Sequence, residues 1–208
     1  IVYSGATKGW IPTIDDAVTD VPVIGNSEGI FGFGIYGSTY TALTNLVSNV
    51  GVLSADVAGV GTGRSVPSAT EYGGDKGIFA YGNASGATTA VSNLVSNVGV
   101  VASDVTGVGS ARWGASACGD KGIFGYGTTG SETAVTNLVS NAGVVATDVT
   151  GVGTARQLLA SCEYGDDKAI FGYGRISPGV FSLTNLVTNV GVVGTDVTGV
   201  GTTRTTLA

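Results

Sequence analysis

The sequence predicts an all-β chain in which four copies of one unit stack on each other. Three observations predict it. One stretch is written four times, most clearly from Lys121 to Arg156, with the other copies starting at Gly29, Lys76 and Lys168. Each copy divides into short apolar pieces of 5–9 residues separated by Gly, Asn and Asp, the pattern of antiparallel strands joined by tight turns. The composition is small and β-prone, with 36 Gly, abundant Val, Ala and Thr, no Met and few of the long side chains that favour helices. The landmarks keep register: Phe31, Phe79, Phe124 and Phe171; Asn45, Asn93, Asn137 and Asn185; Asp56, Asp104, Asp148 and Asp196; Arg64, Arg112, Arg156 and Arg204. Successive Arg residues lie 48, 44 and 48 positions apart, a period typical of repeat architectures.

Taken in order, residues 1–28 stand outside the repeat and read as a leader or linker, with Trp10, Pro12 and Pro22 in no clear period. Residues 29–208 form the array. In the clearest copy a GIFGYG strand covers Gly122–Gly127, followed by a variable tip. An AVTNLVSN strand follows at Ala134–Asn141, then GVVATDV at Gly143–Val149 and TARQLLASC at Thr154–Cys162. A Gly-Asp-Lys turn opens the next copy. The GIFGYG pieces do not alternate apolar with polar, so both of their faces should be covered. Four-stranded sheets stacked face to face around an axis make a β-propeller. A unit this small cannot bury a core alone and must stack on its neighbours.

The net charge of −6 argues against nucleic-acid binding, which needs a basic face. No apolar run approaches the roughly 20 residues of a membrane helix. Seven of the nine basic residues and seven of the fifteen acidic ones recur in register, as the Asp and Arg named above and the pairs Asp75-Lys76, Asp120-Lys121 and Asp167-Lys168. Charges present in every copy are expected to hold the copies together. There is no His, and no Cys-x-x-Cys, nucleophile elbow or phosphate loop, so no enzyme, metal site or cofactor is expected. Glu71, Glu132, Glu163 and Asp166 could serve as a carboxylate pair only in the loose sense that glycosidases use two. Cys118 and Cys162 each lie six residues after a repeat Arg, and both are expected as buried free thiols.

The stretch GTARQLLASCEYGDDKAIFGYG, Gly153–Gly174, resembles a kelch repeat: an Arg before a small-residue strand, a turn, then an apolar strand ending in glycines. Gly-Tyr-Gly replaces the usual Gly-Gly, and the outer-strand Trp is absent. The Asn-Leu strand, the Gly-x-x-x-Asp strand and the Thr-Ala-Arg strand are more similar to the divergent kelch-like repeats of tail and other virion proteins of bacteriophages, especially cyanophages. The leader GATKGWIPTIDDAVTD also looks like the start of such proteins. The resemblance implies a kelch-like β-propeller with four blades, in which residues 201–208 close the ring beside Gly29–Gly34. It implies a non-enzymatic virion protein of the tail, a fibre or the outer surface. Its partners would be other virion proteins, identical subunits or a host-surface glycan. A free lectin-like propeller or a glycan hydrolase is the alternative.

Variation between copies concentrates in the tip after GIFGYG and in the segment after the Arg. Fixed strands with varied tips are how binding surfaces are commonly built. Tyr36, Tyr40, Trp113, Arg175 and Phe181 are the large side chains there and the candidate contact residues.

Overall fold

The computed structural model describes residues 2–3, 10–11, 27–119, 121–165 and 167–207. Of the leader it describes little beyond a short antiparallel pair, β1 (Val2–Tyr3) with β2 (Trp10–Ile11). Everything described is strand, turn or irregular, with no helix. The chain is all-β.

The first copy is a two-stranded sheet of β3 (Gly29–Tyr36) and β4 (Thr39–Val47). The next three copies share one sheet order. In the second it is β5 (Ser68–Tyr72), β6 (Lys76–Ala80) and β9 (Ser92–Val95), with β7 (Asn83–Ala84) and β8 (Ala87–Thr88) as a small hairpin at the tip. The third uses β10 (Ser116–Cys118), β11 (Ile123–Gly125) and β12 (Thr136–Leu138). The fourth uses β13 (Ala160–Tyr164), β14 (Lys168–Gly172) and β17 (Thr184–Val187), with a tip hairpin of β15 (Arg175–Ile176) and β16 (Gly179–Val180).

Two sequence expectations need correction. The Gly143–Val149 piece and its equivalents are not continuous strands. They touch the sheet through single bridges, such as Val95 with Val101 and Ser92 with Val105. An Asn side chain is inserted between them: Asn93 Nδ2 donates to Ala102 O at 3.1 Å and fills a place in the ladder that a backbone amide would otherwise take. The Arg segment is not a strand either. The strand begins four residues after the Arg, at Ser68, Ser116 and Ala160.

Nor is the expected ring closure seen among the described residues. Residues 201–207 correspond to the approach to a strand, and β3 pairs with β4 and with no other described strand. Phe31 is 67% exposed, whereas its equivalents Phe79, Phe124 and Phe171 are 5%, 0% and 0% exposed.

The core lies between copies. Phe79, Val95 and Val101 pack with Ile30 and Phe33 of the first copy. Tyr81 of the second packs with Phe124, Val139 and Val145 of the third. Ile123 and Tyr126 of the third pack with Phe171, Val187 and Val193 of the fourth. The apolar strands lack alternation because a neighbour covers each face. Gly125 makes the approach possible, since a Cβ there would lie 2.7 Å from the Phe171 ring. The two thiols are free but unlike: Cys118 is buried and Cys162 exposed, against the expectation that both are buried. The fourth copy covers Cys118, and no described copy covers Cys162.

Candidate functional site

Each joint between copies is built on an aromatic residue in an unusual backbone state. Phe33, Tyr81, Tyr126 and Tyr173 have φ of 64°, 63°, 64° and 64°, the left-handed region that bulky residues avoid. The glycine after each, with φ from 99° to 123°, continues the bend that turns the ring out of its strand. Such states cost about 1–3 kcal/mol each and persist only where surrounding contacts hold them. The holding contact is the recurring Arg. Arg64 lies 4.0 Å over Phe33, Arg112 3.9 Å over Tyr81, Arg156 4.4 Å over Tyr126 and Arg204 4.3 Å over Tyr173. The next copy's Phe meets the same ring edge-on, as Tyr81 and Phe124 do at 5.3 Å.

The remaining Arg bonds close a polar circuit. Arg112 donates to Asn137 Oδ1 at 2.7 Å and to Ser110 O at 3.2 Å. Asn137 Nδ2 donates to Asp148 Oδ1 at 2.9 Å. Asp148 also accepts from the Ser110 hydroxyl at 2.6 Å and the Ser110 amide at 3.0 Å. Arg156, Asn185, Asp196 and Thr154 repeat the circuit, with Arg156 donating to Asn185 at 2.7 Å. In the second copy Asp104 holds Thr62 and Asn93, while Arg64 donates to Thr62 O. The first copy retains only the bond from Asn45 to Asp56, at 2.8 Å. Recurring Asp and Arg therefore communicate mainly through Asn and Thr or Ser, with one direct approach of 3.9 Å between Arg156 and Asp196.

Partial burial alone would raise the Asp104, Asp148 and Asp196 carboxyls. The donors from Thr or Ser and Asn, aided by the nearby Arg charge, outweigh burial and hold all three below the ordinary carboxylate value. A depressed folded pKa contributes stability that is complete above the unfolded value and is lost as pH falls through the folded one. The melting temperature is therefore expected to hold from neutrality to about pH 4 and to fall below it. An unchanged melting temperature at about pH 3 would show that the circuits add nothing to stability.

The two ends of the strands differ in character. β6 runs from the Asp75-Lys76 turn to the tip, and β9 runs back, so tips and outer turns lie at opposite ends. At the tip end the two variable segments come together, since Ser65 pairs with Asn83, Trp113 with Thr128 and Gln157 with Arg175. Tyr36 is 86% exposed, while Tyr40, Trp113, Arg175 and Phe181 are half-buried. These five candidates are spread over the tips of the first, third and fourth copies, and none of them lines the two clefts at the opposite end. Glu132 joins two tips, accepting from Gln157 at 3.2 Å and from the Ser177 amide at 3.5 Å. Glu71 pairs with Gly77 near the outer end of β5 and Glu163 accepts from the Gly119 amide, so neither sits beside Glu132 at the tips. Asp166 lies outside the described residues. No three His, Cys, Asp or Glu side chains cluster as a metal site among the described residues.

The opposite end is repetitive. Asn97 and Asn189 cap Asp75 and Asp167, which pair with Lys76 and Lys168. The turns carry exposed valines: Val50, Val52, Val98, Val100, Val144, Val190 and Val192 are 59–78% exposed. Two clefts open between copies at this end. One of about 240 Å³ separates the first and second, between Ile30 and Ile78, and one of about 220 Å³ separates the third and fourth, beside Cys118. Between the second and third, Tyr72 sits against Leu94 and Gly143. The third copy has no Tyr at that place, and in the first no described strand pairs with β3 on the side away from β4 to carry one.

Sequence reasoning missed the role of the left-handed aromatics and of the Asn that links Arg to Asp. The signal was present: each copy has a second aromatic two residues after its Phe, in step with the Arg.

No family model matches the chain, and no curated protein is similar to it in sequence. Among solved structures it is similar to that of YjhT, with a TM-score of 0.53 and 14% identity. The match covers 70% of this chain and 48% of YjhT, so the chain spans about half the length of that structure. At this identity the likeness bears on the fold alone.

Proposed function

We propose that this chain is a non-enzymatic structural protein on the exterior of a phage particle, whose copies are the blades of a kelch-like β-propeller. The observation that carries the reading is the contrast between the two strand ends. The recurring Arg, Asn and Asp of the circuits are spent inside the joints, leaving varied tips at one end and exposed valines beside the Asp–Lys turns at the other. Exposed apolar patches larger than a few hundred Å² are uncommon on free soluble proteins and mark contact surfaces. The valine end suits assembly with other virion proteins or identical subunits. The tip end, with Tyr36, Tyr40, Trp113, Arg175 and Phe181, suits contact with a host-surface glycan, because aromatic faces stack on sugar rings.

Mass spectrometry of purified particles is expected to find the chain at fixed stoichiometry. A chain confined to the soluble fraction that releases sugar from a glycan panel would overturn the proposal in favour of a free hydrolase. Binding without turnover there would favour a free lectin. Replacing Tyr36 and Trp113 together by Ala is expected to weaken attachment to host cells at least tenfold. The Tyr36 change alone should leave stability within about 0.5 kcal/mol, as for other exposed sites. Attachment unchanged by the double variant would remove the tips from the contact.

A further inference from the structure

The three joints inside the chain define what a joint needs, and the described structure carries two complementary halves of one more. One half is on the first copy. Phe31 is 67% exposed, the edge of β3 away from β4 is unpaired by any described strand, and Asp56 is exposed and bonds only Asn45. The other half is on the last copy. Arg204 is exposed yet already lies 4.3 Å over Tyr173, and its carbonyl accepts from the Gly174 amide at 3.1 Å. Arg64, Arg112 and Arg156 are held in the same way over their own rings and are 0% exposed because a following copy covers them. Thr202 lies two residues before Arg204 and is exposed, as Thr62, Ser110 and Thr154 lie two before theirs.

We propose that the chain associates head to tail with a second copy of itself through these halves. Arg204 of one molecule would donate to Asn45 of the next, Thr202 would donate to Asp56, and the Tyr173 ring would meet Phe31 edge-on. The occupant is identified by continuity with the existing joints: the tail presents the Thr-x-Arg and aromatic groups that the head lacks, and the head presents the Phe, Asn and Asp that the tail lacks. The two surfaces differ, so the contact is heterologous and gives a ring if the rotation closes and a longer array if it does not. The inference rests on the joint geometry and not on the virion reading, so its failure leaves that reading standing.

Sedimentation and light scattering of the full chain over a wide concentration range test it. The expected result is reversible association that Arg204→Ala and Phe31→Asp each weaken at least tenfold. Both positions are exposed, so both variants should melt close to the parent. Thr202→Val provides a milder second probe of the tail. The decisive arm mixes the Arg204→Ala chain, whose head is intact, with the Phe31→Asp chain, whose tail is intact. One joint can then form, so a heterodimer and nothing larger is expected. A parent chain that stays monomeric, variants that associate like the parent, or a mixture that does not pair would each overturn the proposal. A monomer whose Gly29–Phe33 amides resist hydrogen exchange would overturn it in favour of a cover from within the same chain.

Discussion

Arg156→Ala is expected to lower the unfolding free energy by about 3–5 kcal/mol, the cost of breaking a buried charged network from one side. The side chain is 0% exposed and donates to Tyr173 O at 2.7 Å, Asn185 Oδ1 at 2.7 Å and Thr154 O at 3.0 Å. Removing it strands Asn185 Oδ1 inside the joint, where an unpaired polar atom costs about 1–3 kcal/mol. It also leaves a void over Tyr126 and takes away the contact that supports that ring at φ 64°. Arg204→Ala provides the control. It removes the same residue from the same place in the repeat, over Tyr173, but from an exposed position that no described copy covers. In the monomer it should cost no more than about 1 kcal/mol. Urea unfolding of the two variants at low protein concentration checks the pair. Equal losses would show that the Arg stabilises its own copy and not the joint.

Gly109→Ala is expected to cost about 2–4 kcal/mol, combining backbone strain with overpacking. Gly109 has φ +75°, and an added Cβ would lie 2.6 Å from Asn137 Nδ2 and collide with the Asp148 carboxylate. Those two groups form the circuit that fixes Arg112, so the methyl forces it apart. Gly74→Ala isolates the conformational part, since Gly74 has φ +80° with nothing within 4 Å of a Cβ. It should cost about 1 kcal/mol. If the two variants lose the same stability, the circuit yields freely and does not order the joint.

Much of the fold was legible because it is local. The repeat, the short strands, the turns and the positions of the variable segments follow from residue spacing and from Gly, Asn and Asp at the turns. The absence of alternation in the GIFGYG pieces indicated strands covered on both faces, and the buried Phe79, Phe124 and Phe171 lie on such strands. The recurrence of Asp and Arg marked residues that serve every copy alike.

The joint itself was not legible. A period-2 reading leaves Tyr81 and Tyr126 on their strands, whereas a left-handed φ turns each ring under an Arg some 30 positions further on. Nor does spacing show that Asp148 accepts directly from Ser110, 38 residues away, while also holding the Asn137 amide. The two cysteines make the same point. They hold one position in the repeat, yet Cys118 is buried and its thiol pushed up to about 12, chiefly by desolvation, while Cys162 is exposed. The expected closure by residues 201–208 is not seen among the described residues for a related reason, since the four-residue offset from Arg to strand appears only once the sheets are formed. The sequence by itself determined what each copy is made of, because strand and turn preferences act between near neighbours. The tertiary structure alone decided which faces are covered, because burial depends on whether another copy lies beyond, and equivalent residues therefore diverge at the two ends of the array.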